Sequence, residues 1–455
     1  ICYSCFYLTG DNINDVIYQR LLGCLITHLD MLKKIKSIFF HPFFTSSAIM
    51  VVGSNFANAL AFIYHLIIGR LLGPVHYGEL AAVISLATMF SAVFTFLSTV
   101  VIKFTSGAKN KNEENYIFSW FAQKSFFISS TLLILTLIFS PVFSNFLHIE
   151  LKIVLLIPFF LFFSLLSMVF KAFLQGLLKF YETVALLNIE FILRLLTGVF
   201  FVYLGFSVFG AVLGIVISGV IGLFITYFFL RNYKIFFKGS KINFNKEIIA
   251  YSLPAFLFSL TSTSFLTTDI LLAKHFIGAH DAGIYASLST LGRIILYGTG
   301  PIGAVMFPMV SKRFSKGQKY MNVFLLSLLL TSLASFVVLI FYKFFPGVAI
   351  NILYGNSFLA GDKYLIWFGL FATFYSLASL ICSFYLSIGR TKVVILPVIF
   401  AIFQIVGIVL IHDSIFSIIK VSLVSATLLV ISLLIYLVYE TRNGKKPSFD
   451  SNTSL

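Results

Sequence analysis

The sequence predicts an all-α integral membrane protein with about twelve transmembrane helices, arranged as two six-helix lobes. Composition, the spacing of the apolar runs and an internal repeat support this prediction. The chain has 455 residues, of which 59% are hydrophobic and 11% charged, and its mean hydropathy is +1.02. Soluble domains carry about a quarter charged residues. So much apolar surface is expected to form spans of about 20 residues in a bilayer rather than a water-soluble core.

Twelve apolar runs are long enough to cross a bilayer, and each is predicted to be a helix. The bilayer core has no water to hydrogen-bond the backbone, and a helix pairs its backbone N–H and C=O groups internally. The runs, numbered spans one to twelve, cover approximately 46–69, 79–102, 117–140, 151–174, 183–205, 207–230, 248–273, 283–308, 321–343, 364–387, 391–411 and 414–438.

Basic residues are distributed unequally between the two sides that alternate along the chain. If "MLKKIKS" at 31–37 lies in the cytoplasm, 22 Lys and Arg residues fall in inner connections and tails and 5 in outer connections. This positive-inside bias predicts a multi-pass protein of the cell membrane with both termini in the cytoplasm. It also accounts for the net charge of +16 without a nucleic acid partner.

The predicted domain organisation follows from the spans. Residues 1–30 are poorly periodic and precede Met31, so we interpret them as a disordered or non-native extension. The remaining parts are an N-lobe with spans one to six, a cytoplasmic linker, a C-lobe with spans seven to twelve and a cytoplasmic tail, at 31–230, 231–247, 248–440 and 441–455.

A short pattern occurs once in each lobe. It consists of "IIGRLLGPVHYGEL" at 67–80 and "LLAKHFIGAHDAGIY" at 271–285, where Gly73 and Gly78 correspond to Gly278 and Gly283. Since each lobe has six spans, both lobes start on the same side of the membrane. The repeats are therefore predicted to be parallel, with a symmetry axis along the membrane normal. We expect Gly73, Pro74 and Gly78 to form a tight outer turn.

Three stretches resemble sequences of polysaccharide-biosynthesis or oligosaccharide flippases (Wzx-like), a family of the multidrug/oligosaccharidyl-lipid/polysaccharide (MOP) exporter superfamily. They are "GRLLGPVHYGELAAVISL" at 69–86, "YGNSFLAGDKYLIWFG" at 354–369 and "SIGRTK" at 387–392, and the resemblance covers about 46–438. It implies a MATE-like fold with a central cavity between the lobes. It also implies that a polyprenyl-pyrophosphate-linked oligosaccharide moves from the inner to the outer leaflet by alternating access.

The resemblance also implies partners and a biological context. The partners would be lipid-linked oligosaccharide, membrane lipids and glycosyltransferases or the polymerase of the same pathway, and the product a surface polysaccharide such as lipopolysaccharide O-antigen. No enzymatic activity, metal or cofactor is expected, apart from a coupled H⁺ or Na⁺. Cys2 and Cys5 form a lone CxxC without a second ligand pair, so we interpret them as incidental.

Charged residues inside the spans are candidate functional residues, because each costs about 2.5–3.5 kcal/mol on insertion scales. Arg293 in span eight and Arg194 in span five lie near the midplane. Arg293 is the first candidate for binding an anionic pyrophosphate, since a guanidinium can donate two hydrogen bonds to one phosphate. The structural alternatives are an ion pair of Arg293 with Asp269 and a pair of Arg194 with Glu190, one turn earlier on the same face.

Further polar residues complete the predicted substrate site. Lys124 in span three and Lys103 at the inner end of span two could attract the headgroup, or extend to the interface as long basic side chains do. Asn55 and Asn58 share one face of span one, where they either line the cavity or bond neighbouring helices. Asp269 in span seven either neutralises a basic residue or binds the coupled ion.

Several alternatives to an oligosaccharide flippase are open. Ion-coupled multidrug efflux would favour carboxylates in the cavity, whereas basic residues outnumber acidic ones inside these spans. A peptidoglycan-precursor flippase is expected to have arginines in span one, where none precedes Arg70. A membrane-embedded glycan polymerase or transferase is disfavoured, because the sequence has no DxD, HExxH or P-loop. A channel is disfavoured because paired lobes suit alternating access.

Overall fold

The computed structural model describes residues 42–233 and 246–442. The predicted N-terminal extension, most of the linker and the C-terminal tail lie outside these ranges. The described residues are almost entirely helical and contain no β-strand, which agrees with the predicted all-α class.

Spans one to six form the N-lobe. Helix α1 contains spans one and two and is divided at Gly73 into α1a (42–72) and α1b (74–106). The helices of this lobe are α1 (Pro42–Ser106), α2 (Lys111–Leu147), α3 (Leu151–Val154), α4 (Leu156–Gly176), α5 (Phe180–Phe201), a π-helical turn (Val202–Phe206) and α6 (Ser207–Phe229).

Spans seven to twelve form the C-lobe. A short helix, α10, lies between spans nine and ten, and two 3₁₀ segments (Asn356–Gly361 and Thr391–Val394) precede spans ten and eleven. The helices are α7 (Lys246–Phe276), α8 (Ala279–Ser315), α9 (Met321–Phe344), α10 (Pro346–Tyr354), α11 (Asp362–Ser387), α12 (Ile395–Leu410) and α13 (Ile415–Arg442).

The predicted number of spans is confirmed. In the described part of the chain, ten helical stretches are long and apolar enough to cross a membrane. Two of these, 52–92 and 180–229, each contain two spans, which gives twelve.

The turn between spans one and two is shorter than the sequence predicted. Gly73 has a φ of 69° and a ψ of 177°, a conformation that L side chains rarely adopt. Pro74 follows directly, and its fixed φ suits the first turn of a helix. Helix α1b therefore begins straight after Gly73. The prediction that Gly78 belongs to the turn is wrong, because Gly78 is a buried helical residue.

Each lobe has its own apolar core. In the N-lobe, Leu161 and Val212 belong to one cluster and Phe118 and Phe173 to a second, nearer the end where α1b finishes. The core of the C-lobe is a single large cluster that includes Phe371. The lobes meet mainly through α1 on one side and α7 and α8 on the other.

The repeated glycines lie where the lobes touch. A Cβ added to Gly78 would be 2.9 Å from the backbone nitrogen of Gly283, and a Cβ on Gly283 would be 1.8 Å from the carbonyl oxygen of Pro74. The backbones of α1b and α8 can approach this closely only because both residues lack a side chain. We call this end of the bundle, where α1a meets α1b and α7 meets α8, the glycine end. The opposite end, which includes Ser106 and Ser315, is the linker end.

Candidate functional site

One basic residue from each lobe lies close to the same side chain. Arg194 on α5 and Arg293 on α8 both interact electrostatically with His65 of α1a. All three side chains are half-buried. Since α5 belongs to the N-lobe and α8 to the C-lobe, the structure places the two predicted arginines on either side of the boundary between the lobes. We call the region around these three residues the interlobe site.

Arg293 has no carboxylate partner among the residues that the structure describes. Its Nη2 donates a hydrogen bond to the carbonyl oxygen of Leu266 at 2.7 Å, and its Nε is buried without a partner in the described residues. The considered ion pair with Asp269 is not formed, because Asp269 instead accepts the hydroxyl proton of Tyr285 at 2.7 Å. Tyr285 lies eight residues before Arg293 on α8, about 12 Å away along the helix axis. Arg293 therefore influences Asp269 only at a distance.

Arg194 also lacks the carboxylate that the sequence suggested for it. Glu190 forms an ion pair with Lys171 of α4 instead, so the predicted Glu190–Arg194 pair is wrong. The guanidinium of Arg194 lies 4.6 Å from the ring centroid of Tyr64, a cation–π contact. The hydroxyl of Tyr64 donates to the carbonyl oxygen of Ala211 at 3.0 Å, which fixes the ring. Arg194 faces α1 because α4 already supplies a cation for Glu190.

A chain of hydroxyl groups connects His65 to the glycine end. The hydroxyl of Tyr77 on α1b lies 3.2 Å from Nδ1 of His65, 2.9 Å from Oγ1 of Thr290 on α8 and 2.9 Å from the hydroxyl of Tyr354 on α10. Burial raises the pKa of Tyr354 well above its ordinary value, so this phenol keeps its proton. The chain joins both lobes, and the sequence analysis missed it.

His65 was the one member of this chain that the sequence could have revealed. It is a histidine within an apolar span, and it follows Asn58 by seven residues, which is two helical turns on the same face. Tyr77, Thr290 and Tyr354 carry no such signal, because hydroxyl residues are common in apolar helices.

The other predicted polar residues are exposed and lie at separate places. Asn55 and Asn58 lie on α1a before His65, and both are exposed. Lys124 on α2 has its Nζ 6.0 Å from the ring centroid of Trp120. Lys103 is exposed in the last turn of α1b, at the linker end. No contact described in the structure joins either lysine to the two arginines.

Asp269 belongs to a second polar cluster, buried in the C-lobe. The side chains of Asp269, Tyr285, Ser422 and Gln404 connect α7, α8, α13 and α12. The amide nitrogen of Gln404 donates to Oγ of Ser422 at 2.9 Å, while its Oε1 is buried and has no partner in the described ranges. Among the described residues, no basic group lies within ion-pair distance of Asp269, and no group of three His, Cys, Asp or Glu side chains could hold a metal.

Polar contacts hold the lobes together at the glycine end. Lys274 of α7 is almost fully buried, and its Nζ lies 3.9 Å from Oε1 of Glu79 on α1b. His275 donates from Nδ1 to the carbonyl oxygen of Phe146 at 2.6 Å. Arg70 of α1a donates to carbonyl oxygens at the end of α10, including that of Leu353 at 3.2 Å. With the glycine contact, these bonds close this end of the boundary between the lobes.

The fold and the comparisons define the class of this protein as a multi-pass membrane protein with the fold of MOP-superfamily transporters. An inward-facing multidrug resistance MATE family transporter is 16% identical with a TM-score of 0.68, covering 84% of this chain and 96% of its own. The lipid II flippase MurJ in an inward closed conformation is 16% identical with a TM-score of 0.71, and the match covers 86% of this chain and 87% of the MurJ chain. An outward-facing MATE transporter is 15% identical with a TM-score of 0.60, and the match covers 88% of this chain and 96% of the MATE chain.

A family model described as polysaccharide biosynthesis protein matches residues 44–314, which is more than half of the chain. The chain therefore belongs to the polysaccharide biosynthesis protein family. The comparison with curated proteins found no match. The expected family and fold are thus confirmed, while the structural likenesses, all below 25% identity, concern the fold alone.

Proposed function

We propose that the protein is a flippase that moves a polyprenyl-pyrophosphate-linked oligosaccharide from the cytoplasmic to the outer leaflet of the cell membrane. The observation that carries this proposal is the interlobe site, where Arg194 and Arg293 lie without carboxylate partners among the described residues. Unpaired cations inside apolar helices are costly, and the binding of an anion is the simplest compensation. The membership in a polysaccharide biosynthesis family supports a glycan-linked cargo.

The two arginines suit a pyrophosphate in particular. A diphosphate that joins a lipid to a sugar has two negative charges a few ångströms apart. Each guanidinium can donate two hydrogen bonds to one phosphate. Because the arginines belong to different lobes, a bound pyrophosphate would neutralise both and hold the lobes around it. Lys124, Lys103, Asn55 and Asn58 would then attract or contact the headgroup and sugars along its path.

The closed glycine end indicates from which side of the membrane the cargo would enter in this conformation. We assign the linker end to the cytoplasm, and the positive-inside rule supports this because basic residues are concentrated there. They include Lys103, Lys109, Lys111, Lys179, Lys312, Arg313, Lys316, Lys319 and Arg390. The glycine end is then the outer side, and its contacts close the boundary between the lobes on the side away from the cytoplasm. The higher TM-scores to inward structures than to the outward MATE structure support this assignment.

We assign ion coupling to the buried C-lobe cluster. Asp269 is fully buried, and no basic group in the described part of the chain lies within ion-pair distance of it. Such a carboxylate is stabilised by taking up H⁺ or Na⁺. Asp269→Asn would mimic the protonated form. We expect its flipping rate to become independent of imposed H⁺ and Na⁺ gradients, whereas Glu190→Gln should keep the native response. An unchanged gradient response in Asp269→Asn would exclude this site.

The function is tested by flipping in proteoliposomes. A fluorescent polyprenyl-pyrophosphate oligosaccharide is incorporated, and a membrane-impermeant quencher measures how fast label changes leaflet. We expect flipping by the native protein and a loss of at least about tenfold in Arg293→Ala, from the charge-assisted hydrogen bonds removed. Lys420→Ala, which removes an exposed basic residue on α13, is the matched control and should be unaffected.

The outcomes separate the candidate functions. Flipping of the lipid that is insensitive to Arg293→Ala would contradict the role of the interlobe site. Absence of flipping under all imposed gradients, with export of cationic drugs by the same proteoliposomes, would overturn the flippase in favour of multidrug efflux.

A further inference from the structure

We assign the proton of His65 to one ring nitrogen from the hydrogen-bond chain at the interlobe site. Thr290 is placed to donate its hydroxyl proton to the carbonyl oxygen of Ala286 at 3.1 Å. In that arrangement its Oγ1 accepts from Tyr77, since a hydroxyl has one proton to donate. The oxygen of Tyr77 then accepts from both of its other neighbours, the hydroxyl of Tyr354 and Nδ1 of His65. We therefore assign the proton of His65 to Nδ1.

This tautomer leaves Nε2 of His65 as a hydrogen-bond acceptor. In the neutral ring only one nitrogen carries a proton, and the other presents a lone pair. Among the described residues Nε2 has no hydrogen-bond partner, and it is not one of the buried unpartnered atoms, so it is accessible. The half-buried ring lies near the guanidinium groups of both Arg194 and Arg293. An acceptor is therefore available beside two guanidinium groups, which can only donate.

The chemistry of the cargo limits what could donate to this nitrogen. A polyprenyl chain has no polar hydrogen. A diphosphate esterified at both ends carries no ionisable O–H at neutral pH, so the arginines can bind it but Nε2 cannot. The sugar attached to the diphosphate has hydroxyl groups, and an acetamido sugar also has an N–H. The sugar is the only part of such a lipid that can satisfy the free acceptor beside the two arginines.

We propose that His65 is a specificity-determining residue, whose Nε2 accepts a hydrogen bond from the sugar joined directly to the pyrophosphate. This inference rests on the proposed flippase function and adds recognition of the first sugar to it. The arginines bind the charge that all lipid diphosphates share, and His65 distinguishes a glycan-bearing lipid from a bare one. Its Nδ1 is held by Tyr77, so the ring is oriented before the cargo arrives.

Two variants separate the two nitrogens of the ring. The amide of His65→Asn reaches about as far as Nδ1, so it keeps the bond to Tyr77 and loses the distal acceptor. The longer His65→Gln places an amide oxygen near the position of Nε2 and keeps an acceptor. Two ligands isolate the sugar: a polyprenyl-pyrophosphate-N-acetylglucosamine, and the same polyprenyl pyrophosphate capped with a methyl group. They have equal charge, and only the first has polar hydrogens.

Binding of both lipids to the purified full-length protein tests the proposal. We expect the native protein to bind the sugar-capped lipid about tenfold more tightly than the methyl-capped one, the usual effect of one hydrogen bond in a partly desolvated site. In His65→Asn the ratio should fall close to one with unchanged affinity for the methyl-capped lipid, and in His65→Gln a preference for the sugar-capped lipid should persist.

The possible failures are distinguishable. Equal affinity of the native protein for the two lipids would overturn the role of His65, and this comparison needs no variant to fold. An undiminished preference in His65→Asn would overturn it as well. If the native protein binds neither lipid, the proposed flippase function itself fails, and the inference fails with it.

Discussion

Gly73 and Gly278 occupy equivalent positions in the two lobes, as do Gly78 and Gly283. Gly78 and Gly283 act as a pair, because each allows the backbone of the other lobe to approach. Gly73 and Gly278 do not match. Gly73 needs a positive φ of 69°, whereas Gly278 has a φ of −56° and caps the start of α8. Gly78 and Gly283 are therefore glycines for the same reason, the close contact between the lobes. Gly73 and Gly278 are not, because only Gly73 needs a positive φ.

The largest effect is expected for Gly283→Ala. Its new methyl group would lie 1.8 Å from the carbonyl oxygen of Pro74, so α8 and α1b would have to separate. Overpacking of this kind costs about 1–3 kcal/mol, which shifts the closed-to-open ratio by about 5-fold to 150-fold. Spin labels at positions 76 and 280, which are exposed on α1b and α8, should report a longer distance by pulsed electron paramagnetic resonance.

Gly78→Ala provides the matched comparison for this experiment. Its methyl group would lie 2.9 Å from the nitrogen of Gly283, so the shift should have the same direction and be smaller. Unchanged label distances in Gly283→Ala would contradict the close contact between the lobes.

A smaller effect is expected for Gly73→Ala. Among the described residues no atom lies within 4 Å of the added methyl group, so the cost is only that of a backbone conformation nearly exclusive to glycine, about 1–3 kcal/mol. Thermal unfolding should show a lower midpoint with no change in the label distance between the lobes. Gly73→Asn should lose about as much, because asparagine tolerates the αL region but not a positive φ combined with a ψ near 180°. An unchanged midpoint in either variant would contradict the backbone explanation.

The smallest effect, with the opposite sign, is expected for Gly278→Ser. Gly278 is the N-cap of α8 and offers no side-chain bond to the first turn. A serine there can accept from a free backbone N–H, which should stabilise the protein by a few tenths of a kcal/mol. Thermal unfolding would show a slightly higher midpoint. A destabilisation as large as that of Gly73→Ala would show that the two glycines are equivalent after all.

The sequence predicted the spans because hydropathy and charge are properties of neighbouring residues along one chain. Nine spans agree with the helices to within a few residues at most ends, but spans two, three and eight start earlier than predicted, at Pro74, Lys111 and Ala279. At the starts of spans two and eight, polar residues interrupt the apolar pattern, yet they are helical because the other lobe contacts them. The length of an apolar run therefore underestimates the length of a helix whose end is packed against another part of the protein.

The sequence predicted less of the candidate site. It identified Arg194 and Arg293, because a charge in an apolar run is visible without a structure. It gave Arg194 a wrong partner, since Glu190 has the right spacing along α5 but is rotated towards Lys171 of α4. It missed Tyr77 and its bond to His65, because that bond depends on how the helices are rotated against each other. Contacts between side chains of different helices leave no periodic pattern in the sequence.

The central claim is that Arg194 and Arg293, one from each lobe, bind one pyrophosphate together. A double-mutant cycle tests it most directly, with the affinity for the methyl-capped polyprenyl pyrophosphate measured for the native protein, Arg194→Ala, Arg293→Ala and the double variant. Independent sites add to within about 0.3–0.5 kcal/mol. We predict a coupling energy above that range, with the double variant little weaker than the worse single one. Additive losses would show that the two arginines do not share a ligand.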